Sequence, residues 1–269
     1  MSNLRRIRLI TFDAYNTLFK PRGSLSAQYV EEAKKCGIEV TKEQITSHFG
    51  QAYKNQQLNA PFYGISKGMN PRGWWKELVY STFLNAGVNS KALDPKFDQL
   101  YDALYYRFTT ADAYSIFPDV MGTLELLKHQ GFKLGVISNS DERVVHVVEN
   151  LKLNRYFDFV LASAVVGFEK PNKAIFNKAL EIAGNVPAEN ALHVGDDIDK
   201  DYFGAECAGW NSVLLARSKL SYEDFSPAMV ADTSIPLHRP KRLLSLHDLY
   251  PYINNLSEGE EHKQTTCSL

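Results

Sequence analysis

The sequence predicts an α/β protein: a doubly wound parallel sheet with an inserted helical cap domain. Three observations carry this. Short apolar stretches at Leu9–Phe12, Lys133–Ile137, Phe157–Ala162, Ala191–Val194 and Ser212–Ala216 have the length and composition of strands. From residue 112 onward they alternate with helical patterns, as parallel strands with helices on both faces require. Between residue 20 and about residue 112 no strand-like alternation occurs, and apolar and aromatic residues recur three and four apart.

The elements follow in chain order. Leu9-Ile10-Thr11-Phe12 forms the first strand and delivers Asp13 into a polar turn, Ala14-Tyr15-Asn16-Thr17. Helices are expected over Ser24–Cys36, Thr41–Asn55, Pro71–Ala86 and Pro95–Thr109, enough for a small bundle with its own core. After the strand Lys133–Ile137 a helix runs through Val144 to Leu151, and a later one covers Asn172–Ala183, with Pro171 fixing its start. Residues 1–20 and 112–255 are assigned to the core and 21–111 to the cap, with hinges near Lys20-Pro21 and Asp112; the polar stretch 256–269 reads as a disordered tail.

With 269 residues, 30 Lys and Arg against 31 Asp and Glu, and a formal charge of −1, the chain lacks the basic surface that sequence-independent nucleic-acid binding needs. A small-molecule partner is the better expectation. The cysteines, Cys36, Cys207 and Cys267, are too few and scattered for a disulfide framework or zinc site, and read as two core thiols and one tail thiol. The N-terminal arginines precede only a short apolar run, neither a signal peptide nor a membrane span, so a cytoplasmic or nuclear location is expected.

Four stretches carry the chemistry: Asp13-Ala14-Tyr15-Asn16-Thr17, Val136-Ile137-Ser138-Asn139, Lys170-Pro171, and His193-Val194-Gly195-Asp196-Asp197-Ile198-Asp199-Lys200-Asp201. Asp13, Ser138 and Asp196 fall at or just past strand ends, where open α/β sheets bind ligands. Any one of them alone reads as a strand-terminating turn residue. The last stretch crowds four carboxylates into six residues, whose mutual repulsion calls for a bound cation or shifted protonation.

In order and type these stretches resemble the four motifs of the haloacid dehalogenase (HAD) superfamily, and they span most of the chain. The resemblance implies a HAD-like Rossmannoid core in which Asp13 is the nucleophile of a covalent aspartyl intermediate. It assigns catalytic roles to Thr17, Ser138, Asn139 and Lys170. For a phosphate ester, Mg²⁺ would offset the repulsion between carboxylate and phosphate, held by Asp13, the main-chain carbonyl of Tyr15 and Asp196, with Asp201 orienting that shell.

One position departs from the phosphatase pattern. Two residues after the nucleophile, where HAD phosphatases carry an acid/base Asp, this chain has Tyr15. A phenol with a reference pKa of about 10 is a poor proton shuttle near neutrality, and the amide of Asn16 cannot replace a carboxylate. Tyr15 and Asn16 are read as substrate contacts instead. Asp13-Ala14-Tyr15-Asn16-Thr17 is also similar to the opening motif of 2-haloacid dehalogenases, which displace halide and need no metal. Those enzymes lack the acid at Asp196.

In the cap, Tyr63-Gly64-Ile65-Ser66-Lys67-Gly68 and Arg72-Gly73-Trp74-Trp75 resemble a eukaryotic HAD subgroup that also lacks the second Asp. Arg72 and Trp74 are candidate substrate contacts. Three readings stay open: a Mg²⁺-dependent hydrolase of a small phosphate ester, a HAD-derived binding protein without turnover, and a 2-haloacid dehalogenase.

Overall fold

A computed structural model describes residues 7–217 and 240–256. Contacts divide the chain into two compact units, one drawn from Met1–Lys20, Ile116–Ser140 and Lys152–Leu269, the other from Pro21–Ser115 and Asp141–Leu151.

The first unit is built on a six-stranded sheet: β1 (Leu9–Phe12), β4 (Lys133–Ser138), β5 (Phe159–Ala162), β6 (Ala191–Gly195), β7 (Asn211–Leu215) and β8 (Arg242–Leu243), in the order β5-β4-β1-β6-β7-β8. Every pairing is parallel. β1 and β6 are buried throughout because helices cover both faces, which is why these strands read as apolar runs without alternation. Helices α5 (Val120–His129), α7 (Ser163–Val166), α8 (Lys173–Ile182) and α9 (Gly204–Cys207) belong to this unit, and α8 lays Ile175, Phe176 and Ala179 on Leu9, Ile137, Leu161 and Ala191. The cap of α8 is Asn172, whose side chain accepts from the Ala174 amide. Gly135 in β4 is required by packing, since a Cβ there would stand 2.3 Å from the Phe159 ring. β8 was not foreseen: two residues carry no periodicity.

The second unit holds α1 (Leu25–Lys35), α2 (Lys42–Asn59), α3 (Pro71–Asn85), α4 (Ser90–Arg107) and α6 (Arg143–Asn150). The sequence spells the starts of the first three. Ser24 caps α1; Thr41 and Gln44 form a reciprocal capping box on α2; Asn70 and Pro71 open α3. The core joins Tyr29, Ile45, Phe83, Leu93, Phe97, Leu100 and Leu104. Pro95 does not begin α4 as expected but lies in its second turn. The Asn89 cap and the complete burial of Leu93 favour the earlier start over the bond that Pro95 forfeits. A second difference is α6, which groups with these helices although the sequence reading placed all of 112–255 with the sheet.

Short strands β2 (Phe19–Pro21) and β3 (Tyr114–Ile116) pair where the chain passes between the units. Cys207 is exposed and Cys36 only half-buried, so neither is the core thiol expected; Cys267 and the tail beyond Leu256 lie outside the described residues. Among the described residues no helix is long and apolar enough to cross a membrane.

Candidate active site

The parallel register builds the site. Phe12 pairs with Val136 of β4 and Val194 of β6, so Asp13, Ser138 and Asp196 emerge together at the carboxyl edge of the sheet. The Asp13 amide donates to the Val194 carbonyl at 2.9 Å, tying the first turn to β6. At β1 the order of connection reverses, the position at which doubly wound sheets open a crevice.

Lys170 organises the carboxylates. Its ammonium, 2% exposed, donates to Asp13 Oδ1 at 2.7 Å, Asp201 Oδ1 at 2.6 Å and the Ile137 carbonyl at 2.7 Å. An ammonium has three donors, so its orientation is fixed and its charge is directed at the two carboxylates. Asn139 grips the Lys170 backbone from both sides: Nδ2 donates to the carbonyl and Oδ1 accepts from the amide, both at 2.8 Å. Asn139 thus positions Lys170. Pro171, joined to Lys170 by a cis peptide, precedes the Asn172 cap rather than occupying the first turn of α8.

The four carboxylates of the acidic loop separate into two kinds. Asp197 caps the turn that follows it, accepting from the amides of Asp199 and Lys200 at 3.0 and 2.9 Å, and pairs with the Lys200 amine at 3.0 Å. Asp199 is exposed. Asp196 and Asp201 instead converge with Asp13, one oxygen from each lying within 4.8 Å of the others. Asp201, 2% exposed, accepts from Lys170 and from His193 Nε2 (3.1 Å) on Oδ1, and from the Asp197 amide (3.0 Å) on Oδ2. Glycine at 195 is obligatory here, because a Cβ would stand 2.2 Å from the Asp201 carboxyl.

The electrostatics are lopsided. Burial pushes Asp13 up to about 7, with Asp201 and Asp196 adding repulsion against the pull of Lys170. Partial burial and the charges of Asp201 and Asp197 push Asp196 up to about 6, although its side chain opens to solvent. Burial acts on Asp201 too, but Lys170 and the bond from His193 outweigh it and hold that carboxyl below the usual range. Burial opposes the charge on Lys170, yet Asp13 and Asp201 raise its pKa. Three carboxylates thus face one ammonium, a surplus that a divalent cation suits. All-oxygen donors select a hard ion such as Mg²⁺ over softer metals.

Two buried hydroxyls, Thr17 Oγ1 and Ser138 Oγ, have no hydrogen-bond partner among the described residues. Buried polar atoms are normally bonded, so a pair of orphans flanking Asp13 in sequence and register is consistent with a ligand oxygen completing them. The Ser140 amide is taken by the Ser138 carbonyl and the Arg143 amide by Asp141 Oδ1.

The remaining candidates fall elsewhere. Tyr15 is half-buried, edge-on to Phe19 at 5.1 Å, and no carboxylate takes its place. Asn16 sits at φ 60°, a left-handed turn position that asparagine tolerates, with its amide bonded to the Phe19 carbonyl at 2.8 Å. In the helical unit, Arg72 pairs with Asp102 at 2.7 Å and lies over the Tyr105 ring. Trp74 is wholly buried, with Nε1 donating to the Ala60 carbonyl at 2.7 Å. That burial leaves no surface for substrate, so the aromatic reading of Trp74 is corrected to core packing.

Sequence reasoning missed the brace beneath Thr17: Arg217 donates to the Thr17 carbonyl at 2.7 Å and to Asp119 at 2.9 Å. Neither residue belongs to a motif, and their separation of 98 positions hides the pair.

The model of the haloacid dehalogenase-like hydrolase family matches residues 7–209. Haloacid dehalogenase-like hydrolase domain-containing protein 3 of Mus musculus is 38% identical over 220 residues, covering 81% of this chain and 86% of its own. Among solved structures, the magnesium-bound HAD-hydrolase YfnB of Bacillus subtilis superposes with a TM-score of 0.66 at 18% identity, covering 93% of this chain and 99% of its own. The L-2-haloacid dehalogenase of Xanthobacter autotrophicus, with chloropropionic acid covalently bound, gives 0.65 at 22% identity, covering 92% and 98%. The two structures share the fold; the family match and the mouse relative establish kinship, and the chain belongs to the haloacid dehalogenase-like hydrolase family.

Proposed function

We propose that the protein is a Mg²⁺-dependent hydrolase of a small phosphorylated substrate, working through an aspartyl intermediate on Asp13. The observation that carries this is the convergence of Asp13, Asp196 and Asp201 around a single buried lysine, which leaves carboxylate charge in excess. Mg²⁺, held by Asp13, Asp196, the Tyr15 carbonyl and with Asp201 behind them, would neutralise that excess and the charge of the phosphoryl group.

Asp13 is aimed by its Oδ1 bond to Lys170, which leaves Oδ2 to attack phosphorus while the bond to the leaving oxygen breaks. Thr17 and Ser138 hydroxyls would donate to the phosphoryl oxygens. Water then hydrolyses the acyl phosphate and regenerates Asp13. With Tyr15 in the acid/base position, the leaving oxygen departs with little protonation, so substrates with good leaving groups react best. The helical unit is proposed as the cap, with Arg72 its candidate anion contact.

Tyr15 also favours a second reading, dehalogenation, because halide needs no proton. A screen of aryl phosphate, alkyl phosphate and 2-haloacid substrates, with Mg²⁺ or with chelator, decides between them. The expected outcome is phosphate release that requires Mg²⁺ and disappears in Asp13→Asn. Halide release indifferent to Mg²⁺ would establish dehalogenation, and ligand binding without any turnover would leave the non-catalytic reading.

A further inference from the structure

The parallel register of β1 and β6 sets Thr11 directly beside His193. Alternation along each strand puts Leu9, Thr11 and Asp13 on one face of β1, and Ala191, His193 and Gly195 on the matching face of β6. Both ladders begin in the apolar layer against α8 and end at the site. Thr11 and His193 are the polar rungs between, and both are 0% exposed.

The ring is held on every side. Thr11 Oγ1 lies 2.8 Å from Nδ1, Asp201 Oδ1 lies 3.1 Å from Nε2, and Phe176 packs edge-on at 5.4 Å. An ionised Asp201 only accepts, so Nε2 carries the hydrogen it receives. In a neutral ring Nδ1 is then the acceptor, and the Thr11 hydroxyl must donate to it. Asp201 thereby selects the tautomer, a threonine three-quarters of the way along a buried strand holds the ring through Nδ1, and the histidine restrains the carboxylate that Lys170 shares with Asp13.

We infer that Thr11 and His193 are positioning residues: the Thr11 hydroxyl donates to Nδ1 and holds the ring in place, and the ring's Nε2–H holds Asp201 Oδ1 toward Lys170 and Oδ2 toward the acidic loop. The consequence for metal binding rests on the Mg²⁺ reading above; the tautomer does not. Partners that orient ligating or neighbouring carboxylates typically change metal affinity or activity by about 10- to 100-fold when removed.

The test uses the full-length protein and four variants. Thr11→Val keeps the shape and removes the hydroxyl, whereas Thr11→Ser keeps the hydroxyl. His193→Gln can still donate to Asp201 and accept from Thr11, whereas His193→Phe can do neither. Long-range ¹H–¹⁵N correlation of the imidazole should show Nε2–H in the wild type, Thr11→Ser and Thr11→Val, with the Nδ1 resonance displaced only in Thr11→Val, where its hydrogen-bond donor is lost. With Mg²⁺ and an aryl phosphate, Thr11→Val and His193→Phe should raise the Mg²⁺ half-saturation about tenfold or more and lower kcat, with substrate KM unchanged. Thr11→Ser and His193→Gln should recover both. Wild-type Nδ1–H, or a Thr11→Val protein with reduced Tm but wild-type Mg²⁺ half-saturation and kcat, overturns the inference. A wild type indifferent to Mg²⁺ overturns the metal reading instead, and the Nε2–H and Nδ1 resonances then decide the Thr11–His193 assignment by themselves.

Discussion

Each unit of this protein buries a carboxylate against a cation, and the two pairings differ in one respect that separates structure from chemistry. In the helical unit Asp141, 3% exposed, accepts Arg143 Nε and the Arg143 amide on Oδ1, and Arg143 Nη2 and Trp75 Nε1 on Oδ2. All four lone-pair positions are filled, and the guanidinium is stacked over the Trp75 and Tyr105 rings at 5.0 and 4.2 Å. One negative charge meets one positive charge and nothing is left over. In the sheet unit three carboxylates meet one ammonium, the Thr17 and Ser138 hydroxyls are among the buried polar groups left without a partner among the described residues, and Asp13 and Asp196 are pushed above the normal carboxylate range. Burial of charge is therefore not itself the mark of a site; uncompensated burial is.

The largest effect is expected at the nucleophile. Asp13→Asn should reduce phosphate release by on the order of 10⁴-fold or more while leaving the protein folded, since the amide loses nucleophilicity. Single-turnover assays with an aryl phosphate measure it, and a modest loss would remove Asp13 from the mechanism. The balanced pair should behave in the opposite way. Asp141→Ala leaves a buried guanidinium without its partner and should cost about 3–5 kcal/mol in urea unfolding, with little change in Mg²⁺ half-saturation for the folded fraction.

The sign of its pH dependence follows from the shift. Burial raises the Asp141 pKa, but the bonds and charge of Arg143 prevail and hold it below the ordinary value. A depressed carboxylate contributes stability above its unfolded pKa of about 3.9 and loses it as pH falls through the folded value. The stability gap between wild type and Asp141→Asn should accordingly be full at pH 7 and shrink on acidification below about pH 4. A gap independent of pH would show that shape, not charge, is what Asp141 contributes.

Next in size is the metal. Mg²⁺ at a hundredfold excess over its Kd should stabilise the wild type by about 2.7 kcal/mol. Asp196→Asn should abolish that gain. Asp197→Asn should retain it, because Asp197 caps a turn and pairs with Lys200 rather than facing Asp13. Equal losses from both would mean that the loop acts as a diffuse acidic surface.

These contrasts show what the chain reveals on reading. Parallel strands buried on both faces leave continuous apolar runs, and Asp13, Ser138 and Asp196 stand where those runs stop, so the sheet and its carboxyl edge were legible. The helix starts at Ser24, Thr41 and Pro71 were equally plain. What escaped were properties of pairs distant in sequence. Asn139 read as catalytic because no local signal shows that its amide meets the Lys170 backbone 31 positions away. Trp74 read as a pocket residue because an aromatic side chain carries no mark of which way its helix faces. Asp141 and Arg143 stand two apart with no sequence mark of their burial, and Trp75 and Tyr105, from distant stretches, complete the unit. Gly195 was visible as part of a motif, but its reason, the space occupied by Asp201, required the fold.

The smallest effect, and the sharpest test of the reaction, concerns Tyr15. The surplus of carboxylates in the sheet unit stops short of one position: the residue two after Asp13 is a phenol, a poorer general acid and base than a carboxyl near neutrality. If leaving-group protonation limits turnover, alkyl phosphates should be much poorer substrates than aryl phosphates, whose departing oxygen is weakly basic. Tyr15→Asp supplies a carboxyl there. A fully tuned general acid is worth about 10²- to 10⁴-fold. A carboxyl without an evolved environment should recover about tenfold for alkyl esters, equivalent to about 1.4 kcal/mol of barrier, and almost nothing for aryl esters. Initial rates on one alkyl and one aryl ester, for wild type and variant at saturating Mg²⁺, give the comparison. Equal gains on both would locate the effect in binding or metal affinity rather than proton transfer. Loss on both would mean that the Tyr15 ring, packed against Phe19, holds the turn in which Asp13 is presented.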